Sequence, residues 1–169
     1  MIPARPARRR FHTGLLLALC LVAVPVVAAE VPEPPFTLTG KVVGIADGDT
    51  ITVLVGTTQH KIRVGSIDTP ERGQAFGTRA TQFTSKLVFG KTVTVRVVKI
   101  DRYDRSVGRV TVPTEDGPVD LSAELVRAGL AWWYRKYAPD DEELAKLEAE
   151  ARAARPRCYT QVMLLNWEF

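Results

Sequence analysis

Short runs in which apolar residues alternate with polar ones recur through the chain after residue 36, and each predicts a half-buried strand. Thr37 to Ile45 is the first, where Gly40 and a phase change at Val42-Val43 predict a bulge. Ile51, Val53 and Val55 form a second run, Gly56-Thr57-Thr58 has turn composition, and Ile62 and Val64 resume the alternation, which predicts a hairpin. Thr92 to Ile100 is rich in valine, and Val107 to Val112 is a fifth run, closed by Pro113 and the acidic turn before Gly117. Between the third and fourth runs the period changes. Phe76, Ala80, Phe83 and Leu87 recur at helical spacing, and Gly90 is placed to end that helix. Asp120 can cap a second helix in which Leu121, Leu125 and Ala128 share a face and Gly129 ends it. Asp140 and Glu143 form a capping-box pattern for a third, with Leu144, Leu147, Ala151 and Ala154 inward, until Pro156 stops it. The pattern predicts a small α+β domain and suggests a barrel of OB type.

The start of the chain follows different rules. Arg5, Arg8, Arg9 and Arg10 make a basic stretch, Gly14 to Val24 is apolar, Pro25 breaks it, and Val27-Ala28-Ala29 offers a small-residue cleavage site. The apolar run is short for a membrane span of about 20 residues. Residues 1–29 therefore read as a signal peptide, residues 30–36 as a proline-rich linker, 37–155 as the folded domain and 156–169 as a tail. An exported protein, periplasmic or secreted, is expected, with no stable membrane association after cleavage. The whole chain carries a net charge of +4, but its leader holds four arginines and no acids, so the remainder has 19 basic and 19 acidic residues. Affinity for nucleic acid would then come from a local site rather than from a generally basic surface. With Cys20 in the leader, Cys158 is the one cysteine left, which excludes an intramolecular disulfide.

The candidate chemistry concentrates in one stretch, from Asp47-Gly48-Asp49-Thr50 through the hairpin to Arg63 and Ile67-Asp68-Thr69-Pro70-Glu71. Folding the hairpin about its turn carries Asp49 back beside Ser66 to Asp68, because opposed strand residues sit about 5 Å apart. Two carboxylates at one sheet end outline a site for a hard cation; Asp49 and Asp68 suit Ca²⁺, and spacing alone leaves Mg²⁺ and Mn²⁺ open. Asp47 reads as a turn cap, and His60 as a residue of the strand surface. Arg63 alternates with Ile62 and Val64 and so points away from their face.

Asp-Gly-Asp-Thr followed by Arg-x-x-x-Ile-Asp-Thr-Pro-Glu resembles the staphylococcal nuclease family, and later pieces match in order. These are Phe76-Gly77 with Ala80, Asp101-x-Tyr103-x-Arg105, and Leu125-Val126-x-x-Gly129-Leu130-Ala131. The resemblance spans residues 40–155 and implies a five-stranded OB-fold barrel with three helices. It implies Asp49, Asp68 and the backbone carbonyl of Thr69 as Ca²⁺ ligands, Glu71 as the residue that orients or deprotonates the attacking water, and Arg63 and Arg105 as the catalytic arginines. Arg102 and Tyr103 match positions that contact a terminal phosphate, with Arg102 standing where the prototype has lysine. Tyr137 matches a position near the base, whereas Arg135 replaces a pocket tyrosine. The aromatic and basic run Trp132-Trp133-Tyr134-Arg135-Lys136-Tyr137 suits either base stacking or packing beneath the third helix. The tail departs from the family's Gly-Leu-Trp packing motif, with Pro156-Arg157-Cys158-Tyr159 in its place.

The function expected is a monomeric, Ca²⁺-dependent hydrolase of DNA and RNA, single strands favoured, with low sequence specificity and 5′-hydroxyl and 3′-phosphate products. Its rival is a non-catalytic OB module that binds single strands. Domains of that kind lose acids or arginines at these positions, and all five are present here.

Overall fold

The computed structural model describes residues 33–154. The expectations for the leader, for Cys158 and for the tail lie outside the described residues.

Five strands close into a barrel: β1 (Phe36–Ile45), β2 (Thr50–Val55), β3 (Thr58–Val64), β5 (Thr92–Ile100) and β6 (Ser106–Val112). They run in the order β3-β2-β1-β5-β6, and a parallel pairing of β3 with β6 seals the ends. Alternation in the sequence becomes alternation across the barrel wall. Val42 of β1, Ile51 and Val53 of β2, and Ile62 and Val64 of β3 point inward, as do Val93, Val95 and Val97 of β5 and Val110 and Val112 of β6; all are buried. The predicted bulge is present, because the β1–β2 register slips between Val42 and Gly44. The hairpin turn is two residues, Gly56-Thr57, with Gly56 at φ 59°, the positive φ that a type II′ turn asks of its first central residue.

Three helices complete the domain: α1 (Gly77–Val88), α2 (Leu121–Arg127) and α3 (Glu142–Ala154). Asp120 caps α2 as expected, its Oδ1 accepting from the backbone N–H of Ser122 at 2.6 Å and of Ala123 at 3.3 Å. Gly129, at φ 69°, ends the helix with N–H groups of Gly129 and Leu130 returning to the carbonyls of Val126 and Leu125, the Schellman arrangement.

Several elements differ from the expected pattern. Phe36 belongs to β1 rather than to the linker, because it pairs with Val97. Of the expected face of α1, Ala80 is buried and Phe83 and Leu87 pack partly buried against the core, while Gly77, Thr84 and Val88 are buried as well. Thr84 can be buried because its hydroxyl donates to the Gly48 carbonyl at 2.6 Å, a bond worth more in the interior than at the surface. Phe76 is the cap residue of α1, at φ 67°, rather than part of the helical face. On α3 the cap is Asp141, whose Oδ1 accepts from Leu144 N–H at 3.1 Å, one residue past the expected Asp140. Ala154 is exposed, while Glu148 is buried with Leu144, Leu147 and Ala151. Three two-residue strands carry no periodicity and were not foreseen: β4 (Ile67–Asp68), β7 (Val119–Asp120) and β8 (Trp132–Trp133). β7 extends the sheet beside β6, and β8 pairs with β4 as a separate sheet.

Asp120 supplies the only side-chain cap of α2, and its ion pair with the half-exposed Arg109 adds little. Asp120→Ala should therefore lower stability by about 1 kcal/mol in urea unfolding, the usual worth of an N-cap. A loss below a few tenths of that scale would show that α2 does not depend on its cap.

Candidate active site

β2 and β3 place their functional residues by register alone. Thr50 stands opposite Arg63, so Asp49, one residue before β2, lies beside the end of β3, and its carbonyl accepts from Val64 N–H at 2.8 Å. The loop leading to Asp49 is fixed from both sides. Asp47 Oδ1 accepts from Asp49 N–H at 3.1 Å, the expected turn cap, and Thr84 of α1 holds the Gly48 carbonyl. A Cβ on Gly48 would come within 2.8 Å of both Ala80 Cβ and Thr69 Oγ1, so this approach of loop to helix requires glycine.

Asp49 is 4% exposed, and its carboxylate is closely partnered. Oδ2 accepts from Thr69 N–H at 3.1 Å and Oδ1 from Thr50 Oγ1 at 3.2 Å. The Arg63 guanidinium then lies between two acids. Its Nη1, buried and without a well-aligned hydrogen bond, lies against Asp49 Oδ2, and its Nη2 donates to Asp68 Oδ1 at 2.6 Å. One guanidinium reaching both carboxylates puts two hard oxygens around one positive charge. That donor set fits a hard cation. Among the described residues no third carboxylate, histidine or cysteine completes a metal-binding cluster, so neutral oxygens, from the Thr69 backbone or water, would fill the remaining positions.

Glu71 follows two residues after Thr69 and is exposed; its carboxylate makes no bond among the described residues. Its backbone is held, since Glu71 N–H donates to Gln74 Oε1 at 2.7 Å and its carbonyl accepts from Gln74 N–H at 3.0 Å. Gly77 opens α1 directly against the Glu71 carbonyl, where a Cβ would collide with backbone. A free carboxylate on a fixed backbone is what orientation of a water demands.

The closing seam of the barrel brings up the second arginine. Ser106 pairs with Ile62, which puts Arg105 at the end of β6 roughly 8 Å from Arg63, from strand spacing and rise. Arg105 sits in a tight turn that Asp101 organises. Asp101 Oδ1 accepts from the N–H groups of Tyr103 at 2.9 Å and Arg105 at 3.0 Å, and Oδ2 accepts from Arg105 Nε at 2.8 Å. Asp104 reaches φ 59° to close the turn. With Nε engaged, both terminal nitrogens of Arg105 are without a partner among the described residues, and they form the edge that can meet two phosphate oxygens.

The remaining expected residues divide into two groups. Tyr103 is exposed, with the guanidinium carbons of Arg102 and Arg105 4.8 and 5.4 Å from its ring centre. Tyr137 is also exposed; Lys99 Nζ lies 4.3 Å from its ring centre, and Tyr134 meets it edge-on at 4.7 Å. Arg135 lies against the Trp133 ring and Glu148. Trp133 packs against the core and its Nε1 donates to the Ala138 carbonyl at 2.8 Å, which settles its role as packing rather than stacking. Two roles that matter here were not foreseen: that of Asp101, named only within a motif, which orients Arg105, and that of Glu148. The Asp-x-x-x-Arg spacing could have pointed to the first.

Burial pushes the Asp101 carboxyl up, but the hydrogen bonds from the Arg105 backbone and guanidinium and from Tyr103 outweigh it, so the group is held below the ordinary aspartate value. A carboxyl depressed in the folded state contributes stability above the unfolded value, about pH 4, and loses it as pH falls through the lowered folded value. Asp101→Asn should thus be less stable than wild type at about pH 7, with the gap closing below about pH 4. Thermal unfolding of both proteins across that range tests it. A gap that stays constant would show that the carboxylate charge is not what holds the turn.

The chain is similar to proteins with nuclease names. Its residues 61–158 match the family described as staphylococcal nuclease homologue. It is 41% identical over 146 residues to a protein named micrococcal nuclease from Shigella flexneri, covering 83% of this chain and 84% of that one. Protein ParB from Escherichia coli is 40% identical over 153 residues, covering 87% of this chain and 85% of that one. An uncharacterized endonuclease from Escherichia coli O157:H7 is 40% identical over 136 residues, with 80% and 82% covered. With the closed five-stranded barrel, three helices and these matches over most of its length, the chain belongs to the staphylococcal nuclease family.

Proposed function

We propose that this chain is a nuclease that hydrolyses phosphodiester bonds of DNA and RNA, dependent on Ca²⁺ and favouring single strands. One observation carries the reading. Asp49 and Asp68 converge on Arg63, and the β3–β6 seam pairs Val107, two residues after Arg105, with Arg63. A DNA-binding barrel without catalysis has no use for two acids converging on one arginine. The relatives named as nucleases support the same class of substrate.

In the proposed reaction Asp49 and Asp68 turn to the cation and release the Arg63 guanidinium. The scissile phosphate then lies between Arg63 and Arg105, each offering a planar two-pronged donor to its non-bridging oxygens. Charge grows on those oxygens as phosphorus becomes five-coordinate, so the donors bind the transition state more strongly than the ground state. Glu71 orients a water and takes its proton as the water oxygen bonds to phosphorus. The bond from phosphorus to the 5′ oxygen breaks, and that oxygen is protonated from solvent, leaving a 5′-hydroxyl and a 3′-phosphate. Ca²⁺, held by Asp49, Asp68 and the Thr69 carbonyl, would supply further neutralisation of phosphate charge. Arg102 and Tyr103 supply a contact for a neighbouring phosphate, and the exposed rings of Tyr103 and Tyr137 supply faces for unpaired bases. Arg135, whose exposed side chain lies against Trp133 and Glu148, is proposed to contact the same strand. Such contacts carry little base information, so specificity should be low. Export to the periplasm or medium, and action as a monomer, complete the proposal, the former on the basic, apolar and small-residue order of residues 5–29.

Chelation of Ca²⁺ should abolish cleavage of single-stranded DNA, and Ca²⁺ should restore it better than Mg²⁺; full activity in excess chelator would dispose of the metal-dependent reading. Arg63→Lys and Arg105→Lys keep charge but lose the fork, so each should lower the cleavage rate about 10²-fold, the scale of one lost transition-state donor. Binding of single strands without Ca²⁺ should fall far less, because it follows net charge. Rates within about threefold of wild type at both positions would remove the arginines from the mechanism.

A further inference from the structure

Glu148 is a carboxylate that the proposed chemistry does not use, on α3, and it is 4% exposed. A buried charge is costly unless it is paired and hydrogen-bonded. Here Oε1 accepts from the backbone N–H of Trp133 at 3.1 Å, while Oε2 faces Arg135 Nη2 at 3.3 Å and Arg152 Nη2 at 3.7 Å. Trp133 belongs to β8, whose one strand partner among the described residues is β4. Trp133 stands opposite Ile67 and Trp132 opposite Asp68, and Tyr134 N–H donates to the Ser66 carbonyl at 2.8 Å. A two-residue ladder is too short to hold itself together in water. β4 is therefore braced from one side by β8, and β8 from its far side by Glu148. At the end of this chain of contacts is the Asp68 carboxylate, which must stand within reach of the same cation as Asp49.

We infer that Glu148 is a positioning residue for the cation site: by gripping the Trp133 N–H and two guanidinium groups it fixes β8, and through β8 it fixes Asp68. The inference rests on the metal-dependent reading given above. It differs from a purely structural role in one respect. Loss of Glu148 should loosen the metal site out of proportion to its effect on global stability, since outer partners of metal ligands set affinity as well as fold.

The test measures Ca²⁺ affinity by calorimetric titration of the full chain without substrate, together with amide exchange at Tyr134. Glu148→Ala should weaken Ca²⁺ binding about tenfold, the lower end for loss of an outer partner, and speed exchange of the Tyr134 amide. Glu148→Gln keeps an acceptor for Trp133 N–H but loses the charge facing the two arginines, so its loss should be smaller and still measurable. Asp120→Ala, which removes the α2 cap and none of the contacts from Glu148 to β8, serves as the control for destabilisation alone and should keep wild-type affinity. Unchanged affinity in both Glu148 variants overturns the inference, as does an equal loss in Asp120→Ala. If Glu148→Ala does not fold, unchanged affinity in Glu148→Gln is sufficient to overturn it. A wild-type protein that binds no Ca²⁺ in the same titration overturns the metal reading and this inference with it.

Discussion

The Arg63 guanidinium stands between the carboxylates of Asp49 and Asp68, and much of the surrounding structure exists to keep it there. Two acids this close repel one another, and removal of one partner from a largely buried ion pair costs about 3–5 kcal/mol. The barrel meets this with contacts on every side. Thr69 N–H and the Thr50 hydroxyl satisfy Asp49, α1 pins the preceding loop through Thr84, and β8 backs Asp68. Arg63 itself cannot swing into the core, because Ile62 and Val64 occupy that side of β3.

The site thus has two kinds of support. Asp49 and Arg63 are placed by a hairpin whose two-residue turn fixes the register between them, and Asp68 by β4, which pairs with β8. Glu71 and Arg105 are placed by side chains acting on backbone, Gln74 in one case and Asp101 in the other. Asp101 ties down only the Nε edge of Arg105 among the described residues, so it orients the guanidinium while leaving its outer edge for substrate. The same carboxylate therefore limits the rotamers that Arg105 would otherwise lose on binding phosphate, a saving of the kind preorganised sites exploit.

Legibility in the sequence followed the range of the interaction. The five barrel strands, the bulge near Val43, the Asp120 cap and the Gly129 stop each depend on neighbours within a few residues, and all were readable. The convergence of Asp49 with Asp68 was readable because Asp49 comes just before β2 and Asp68 a few residues after β3, the two arms of one hairpin. What could not be read depends on partners remote in sequence. Thr84 is inward on α1 because of the Gly48 carbonyl, thirty-six positions away. Glu148 follows Leu147 and reads as the start of a solvated face, until β8 brings Trp133 and Arg135 to it. Strands of two residues, β4, β7 and β8, have no period to detect. The family resemblance named the arginines and acids for their roles, but it did not supply what braces them.

The β3–β6 seam has a consequence for how such a molecule fails on heating. It is the shortest ladder in the barrel, three residue pairs against six between β2 and β3, and it joins parallel strands, whose pairing is slightly weaker per residue. Local opening begins where few bonds must break. A barrel that breathes at this seam parts Arg105 from Arg63 while the hairpin keeps its acids together. If the two arginines act as proposed above, warming would silence such an enzyme reversibly, by spreading its cationic jaws, well before the valine core melts.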